Sequence, residues 1–217
     1  MKKAPLYALT LSLGVAFGIL IGLLFTKVLF PEDDASTDPK VYGVEEGASA
    51  AHETLVGMAL ETAGYIKTGD YEALSKMVDP RYGVVFSPYA EIGDFAKRVS
   101  FTAAQVADFA ANTEVYTWGT QVDGGEPISL TVADYFKEYV ADQDYTAADL
   151  IGVNYTVRVG NAREDVTEKF SSGQFVDLCF PGTEEAGFQD WSILRLVFEA
   201  YNGQLWLTAI IHSENTV

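Results

Sequence analysis

Trp191-Ser-Ile-Leu-Arg-Leu-Val-Phe-Glu-Ala-Tyr-Asn-Gly-Gln-Leu-Trp-Leu-Thr-Ala-Ile-Ile-His212 reads as two strands and a turn. Asn202-Gly203 is the pair a type I′ turn requires, because both central residues take positive φ. A two-residue loop sets Tyr201 opposite Gln204, and every further pair follows from that register. One face then carries Leu194, Leu196, Phe198, Ala200, Leu205, Leu207, Ala209 and Ile211. It is wholly apolar and is the expected core face. The other carries Ile193, Arg195, Val197, Glu199, Trp206, Thr208, Ile210 and His212 and is mixed. On it Arg195, Glu199, Thr208 and His212 form a polar constellation over Trp206, the expected binding site. An Arg195–Glu199 ion pair at a dimer interface is the plainer expectation for the same face.

Working outward, helical signals start near Ser49, with Leu55, Ala59, Ala63 and Ile66 on one face and Gly69 as a stop. Asp70 caps a short second helix running through Val78, and Asp79-Pro80 ends it. Thr102-Ala-Ala-Gln105, Thr131-Val-Ala-Asp134 and Thr146-Ala-Ala-Asp149 each match a capping box or its close relative, so three short helices are expected. Val84 to Phe86 reads as a strand. Val115 to Gly119 and Ile128 to Leu130 read as strands joined by the turn Asp123-Gly124-Gly125-Glu126.

The N-terminal region has a different character. From Leu6 to Phe30 there is no Asp, Glu, Arg or His, and Lys27 is the one charged side chain. Such a stretch is long enough to cross a ~30 Å hydrocarbon core at ~1.5 Å per residue. Its end, Thr26-Lys-Val-Leu-Phe-Pro31, lacks a small-x-small cleavage site. Residues 1–30 therefore read as a cytoplasmic stub and transmembrane signal anchor, with residues 6–30 in the membrane. Lys2 and Lys3 place the N-terminus in the cytoplasm and the bulk of the chain outside. Gly14, Gly18 and Gly22 form a stripe suited to helix dimerisation. Residues 31–47 read as an acidic linker, and residues 48–217 as the extracytoplasmic domain.

The formal net charge over 217 residues is -17. Nucleic acid is excluded as a partner, since phosphate binding rests on Lys and Arg, and anionic lipid is no better suited to the domain surface. A cationic partner fits the field. The single cysteine, Cys179, lies in an apolar run with no neighbouring His and reads as a core residue. No glycine-rich phosphate loop, paired Cys ligands, HExxH or GxSxG occurs, so neither a cofactor nor a metal site is expected. Imidazole chemistry is limited to His52, early in the first helix, and His212.

Lys67-Thr-Gly-Asp-Tyr-Glu-Ala-Leu-Ser-Lys-Met-Val-Asp-Pro80 resembles the second-helix motif of NTF2-like (SnoaL-like, cystatin-like cone) proteins. Gly83-Val-Val-Phe-Ser-Pro-Tyr89, Tyr116-Thr-Trp-Gly119, Phe180-Pro-Gly182 and Asp190-Trp191 resemble, as a set, an uncharacterised family of membrane- or lipid-anchored bacterial envelope domains. The resemblance, over about residues 50–217, implies a cone of helices packed on a curved, mostly antiparallel sheet; with the transmembrane helix read above, which departs from the lipid-attachment Cys of many such relatives, the expected fold class is α+β. The resemblance further implies a mouth near Arg81, Tyr82 and Ser87, where an anionic ligand could be received. The broader group holds enzymes, binding modules and inert dimers, so function does not follow from fold. The leading expectation is a membrane-anchored, non-catalytic binding or interaction domain that is a homodimer, with an unknown small molecule or envelope protein as partner. A small hydrolase or lyase using His212 or Asp177 is the alternative, and a structural subunit of an envelope complex is the second. The register above turns His212 away from the concave side, which counts against catalysis. Asp177 is expected to be solvated if its face is the outer one.

Overall fold

The computed structural model describes residues 38–43, 50–122, 124–160 and 163–216. Contacts separate a compact unit, Asp38–Val217, from the chain before it. In chain order the unit contains β1 (Lys40–Tyr42), α1 (Ala50–Thr68), α2 (Tyr71–Ser75), β2 (Val84–Ser87), β3 (Ser100–Phe101) and α3 (Ala103–Ala107). There follow β4 (Val115–Thr120), β5 (Pro127–Thr131), α4 (Val132–Tyr135), β6 (Leu150–Val153), α5 (Val166–Lys169), β7 (Gln174–Phe180), β8 (Ser192–Tyr201) and β9 (Gln204–Glu214).

Local chemistry accounts for most of these boundaries. Leu55, Ala59, Ala63 and Ile66, the predicted face of α1, are all buried. The helix stops at Gly69, whose φ of 67° suits a residue without a Cβ. Asp70 caps α2 by accepting from the Ala73 amide at 3.0 Å. Thr102 and Gln105 form a complete capping box on α3, and Thr131 caps α4 by accepting from the Asp134 amide. Thr146 does not start a helix; Asp144 instead caps a single 3-10 turn, Tyr145–Ala147. β4 and β5 do pair antiparallel; Asp123 of the predicted turn lies outside the described residues.

The main sheet has seven strands in the order β1-β6-β7-β8-β9-β2-β3. Its long centre, β6 to β9, is antiparallel. β1 joins β6 in parallel and β2 joins β9 in parallel. The expected fold class is thereby corrected: the chain is α+β, but the sheet is mixed. β1 falls within the stretch 31–47 that reads as a linker. Among the described residues no helix is long and apolar enough to cross a membrane. Residues 6–30, with Gly14, Gly18 and Gly22, lie outside the described residues.

The β8–β9 hairpin begins as read. Tyr201 faces Gln204, and Asn202 and Gly203 have φ of 51° and 79°. The register then shifts: Phe198 pairs with Leu207 but Val197 pairs with Ala209, leaving Thr208 as an extra residue. This is a β-bulge, and the Thr208 hydroxyl donates to the Val197 carbonyl across it at 3.2 Å. Beyond Thr208 every β9 side chain changes sides. Ile210 joins Leu194, Leu196, Phe198 and Leu207 in the inner core beneath α1. Ala209 and Ile211 turn instead to an outer cluster with Val197, Phe175, Ile92, Val166 and Phe170. Both faces of the sheet are thus covered.

The inner core is aromatic at one end. Phe86 is fully buried, with ring centroids of Trp118, Tyr135, Phe136 and Phe101 5.7 to 6.0 Å away. Edge-on packing of this kind adds to the area term. Phe86→Ala is expected to lower the unfolding free energy by about 3–5 kcal/mol, measured by urea denaturation. A loss under about 1 kcal/mol would mean that this cluster is not packed as described.

Candidate functional site

The bulge decides which polar groups meet. β7 and β8 bring Asp177 opposite Arg195, both on the outer face and both buried. Arg195 Nε donates to Asp177 Oδ1 at 2.6 Å and Nη2 to Oδ2 at 2.9 Å, a bidentate pair. Nη1 donates to Glu164 Oε2 and Nη2 to the Thr156 hydroxyl. The Val157 amide donates to Asp177 Oδ2, and the guanidinium lies 4.7 Å from the Phe175 ring centroid. Burial opposes the Arg195 charge, but Asp177 and then Glu164 outweigh it and raise the guanidinium pKa. Nearby, Asp165 accepts from the Ile92 and Gly93 amides at 2.8 and 2.9 Å. Together these bonds fasten segments 92–93, 156–157 and 164–165 over the sheet.

The expected constellation over Trp206 does not form. Arg195 pairs with Asp177 rather than Glu199, which accepts from the Ser172 hydroxyl at 3.0 Å. Trp206 donates to the Tyr201 carbonyl, Thr208 is bonded within the bulge, and His212 is on the opposite face. Arg195 is covered by its own chain, so it does not present a sheet surface to a second copy. Asp177 is on the outer face yet is buried, contrary to the solvated reading, because segments 156–157 and 164–165 close over it and its Arg195 partner. Arg81 is not a ligand-ready cation: its Nε and Nη2 hold Asp79 at 3.1 and 2.6 Å. Its guanidinium stacks 4.1 Å from the Tyr201 centroid. Tyr82 beside it is exposed, and Ser87 donates to the Tyr89 carbonyl at 2.8 Å. Burial pushes the Cys179 thiol up to about 12, as suits a core residue. His52 sits half-buried in the first turn of α1.

On the inner side a different group of residues meets. α4 runs directly into a π-helical turn, Phe136–Val140; such turns recur at functional sites. The wider turn brings Tyr135 and Tyr139 into a stack, centroids 5.1 Å apart. Tyr135 stacks on Trp118 at 3.7 Å with rings nearly parallel, and the Trp118 indole N–H donates to the Leu130 carbonyl. Tyr139 meets Tyr89 edge-on at 6.2 Å and His212 edge-on at 5.6 Å. Trp118, Tyr135 and Tyr139 therefore form an aromatic column that ends against an imidazole.

His212 faces inward, opposite Leu194, and is 1% exposed. Its Nδ1 lies 3.3 Å from the Pro88 carbonyl, an acceptor, so Nδ1 is the donor there. Its Nε2 lies 3.6 Å from Asp142 Oδ2, beyond hydrogen-bond range, and has no hydrogen-bond partner among the described residues. Asp142 accepts from the Tyr145 hydroxyl at 2.9 Å. Burial raises the Tyr139 hydroxyl pKa, with Tyr89 and Glu138 adding to it. Above this pair opens a cleft of about 170 Å³, lined by Tyr89, Gln121, Tyr139, Glu214, Asn215 and Thr216. It adjoins a wider cavity of about 530 Å³ that shares Tyr89, Gln121 and Thr216 and adds Glu91, Arg98 and Arg163. Burial raises the Glu214 carboxyl pKa; Asp142 and Glu138 raise it further, and His212 opposes them.

Sequence reading found His212 but placed it on the wrong face, and it missed Tyr89, Tyr139, Asp142 and Glu214. The available signal was the i, i+4 spacing of Tyr135 and Tyr139 behind the Thr131 cap, which puts two tyrosines on one side of a helix. Among the described residues no group of three or more His, Cys, Asp or Glu side chains is arranged to hold a metal ion.

No family model matches the chain, and no curated protein is similar to it. Among solved structures, a protein from Xanthomonas campestris described as a calcium/calmodulin dependent protein kinase II association domain is similar at 11% identity. The likeness covers 82% of this chain and 96% of that one, with a TM-score of 0.34. A superposition this loose decides neither fold nor function.

Removing one partner of a buried ion pair leaves an uncompensated charge, at a cost of about 3–5 kcal/mol. Asp177→Ala is expected to destabilise the domain by that amount, and Asp177→Ala with Arg195→Met to recover part of it. Thermal unfolding of the single and double variants checks this; an additive double variant would contradict the pairing.

Proposed function

We propose that the domain is a non-catalytic, NTF2-like binding module that takes a small polar molecule in the cleft between Tyr89, Tyr139 and Glu214. The observation carrying this reading is the cleft itself: two tyrosine rings, a partly buried carboxyl group and the side chains of Gln121 and Asn215 around a space of about 170 Å³. A few polar groups converging on a concave surface beside aromatic walls are what a specific small-molecule site requires. The NTF2-like part of the reading rests on the motif at 67–80 and on the long helix α1 packed over the inner face of the sheet.

An acid–base role for His212 is the second reading, and one observation favours it: the imidazole is on the inner side, near Asp142 and Tyr139. Against it, His212 is sealed beneath the cleft and is not among the residues lining it. A general base must come within hydrogen-bond reach of the proton it takes.

The test is an amide-shift screen of the labelled chain with mixtures of small polar metabolites. Saturable shifts at Gln121, Asn215 and Thr216 are expected, and Gln121→Trp, which fills the cleft, is expected to abolish them. Hits that leave these amides untouched, or that survive Gln121→Trp, would refute the cleft as the site. Under the second reading, His212→Gln would leave binding intact while stopping chemical change of the bound molecule.

A further inference from the structure

We infer that the cleft's ligand is a small organic cation, whose ammonium group sits against Tyr89 and Tyr139 with Glu214 as its counter-charge; this inference rests on the binding reading above. Glu214 is the one charged side chain among the described residues lining the 170 Å³ cleft. Glu138 and Asp142 add negative potential behind it, and His212 alone opposes them. An anion seated there would face a carboxylate and no cation. The arginines border only the wider neighbouring cavity, and both are engaged. Arg98 donates to the Ile92 and Glu91 carbonyls, and Arg163 pairs with Glu168 at 2.6 Å. Tyrosine rings attract a cation through their quadrupole, most strongly where water is thinned out.

The cleft is well below the ~300 Å³ at which sites for drug-sized ligands begin, so the ligand has few heavy atoms.

A bound cation stabilises the ionised form of Glu214, whose carboxyl is otherwise held protonated to higher pH by burial. Affinity therefore rises with pH through the range in which Glu214 ionises. The other titratable groups facing it are Glu138, Asp142, His212, Tyr89 and Tyr139.

The experiment is an NMR titration of the full chain with n-butylammonium chloride and, separately, sodium butyrate. Butylammonium is expected to shift the Gln121 and Asn215 amides saturably while butyrate leaves them unmoved. Glu214→Gln is expected to weaken butylammonium roughly tenfold, the loss typical of a charge-assisted bond. Should Glu214→Gln not fold, the affinity of the unaltered chain must still rise with pH, and a flat profile overturns the inference. So does butyrate binding as well as butylammonium, or Glu214→Gln binding undiminished. If other small molecules occupy the cleft but butylammonium does not, the cation is refuted and the binding reading stands. If nothing occupies it, both fall.

Discussion

One extra residue in β9 organises the molecule. In a strand, side chains alternate between faces with a period of two, so a single inserted residue exchanges the faces for everything beyond it. At Thr208 the insertion turns Ile210 and His212 into the inner core and Ala209 and Ile211 out of it. The outer side then keeps Arg195 without an imidazole beside it, and the inner side gains an imidazole at the end of an aromatic column. Each face becomes a polar problem solved separately.

On the outer face the solution is structural. Arg195, Asp177, Glu164 and Thr156 are bonded to one another under a lid of loops, and Asp165 ties in the backbone at 92 and 93. Such a network gains little net stability over an apolar filling, but it is costly to break, so it fixes which loops lie where. On the inner face the polar groups are less fully satisfied. His212 Nε2 and the Tyr135 hydroxyl are buried without hydrogen-bond partners among the described residues, next to a cleft with one carboxylate on its wall. Buried polar groups left open cost free energy, which the surrounding aromatic packing must offset.

Much of the fold was legible because its signals are local. The apolar face of α1, the Asp70, Thr102 and Thr131 caps and the Asn202-Gly203 turn each depend on residues within a few positions of one another. The bulge was not legible. After Thr208 the chain reads Ala209, Ile210, Ile211, apolar on either parity, so the alternation is silent about a slip. The site suffered twice. His212 inherited the wrong face from the unshifted register. Asp142, Tyr89 and Glu214 come from three distant segments, and only the tertiary fold brings them to the column. Asp177 and Arg195 were each noticed, but their pairing needed the β7–β8 register, which has no turn signal of its own to set it.

The face of His212 is the most direct point at which to test the account. A NOESY spectrum of the labelled chain should show cross-peaks from the His212 ring protons to the Tyr139 ring and the Leu194 methyls. Cross-peaks to Phe175 and Ile92 instead would mean that β9 runs without its bulge, and that the inner site does not exist.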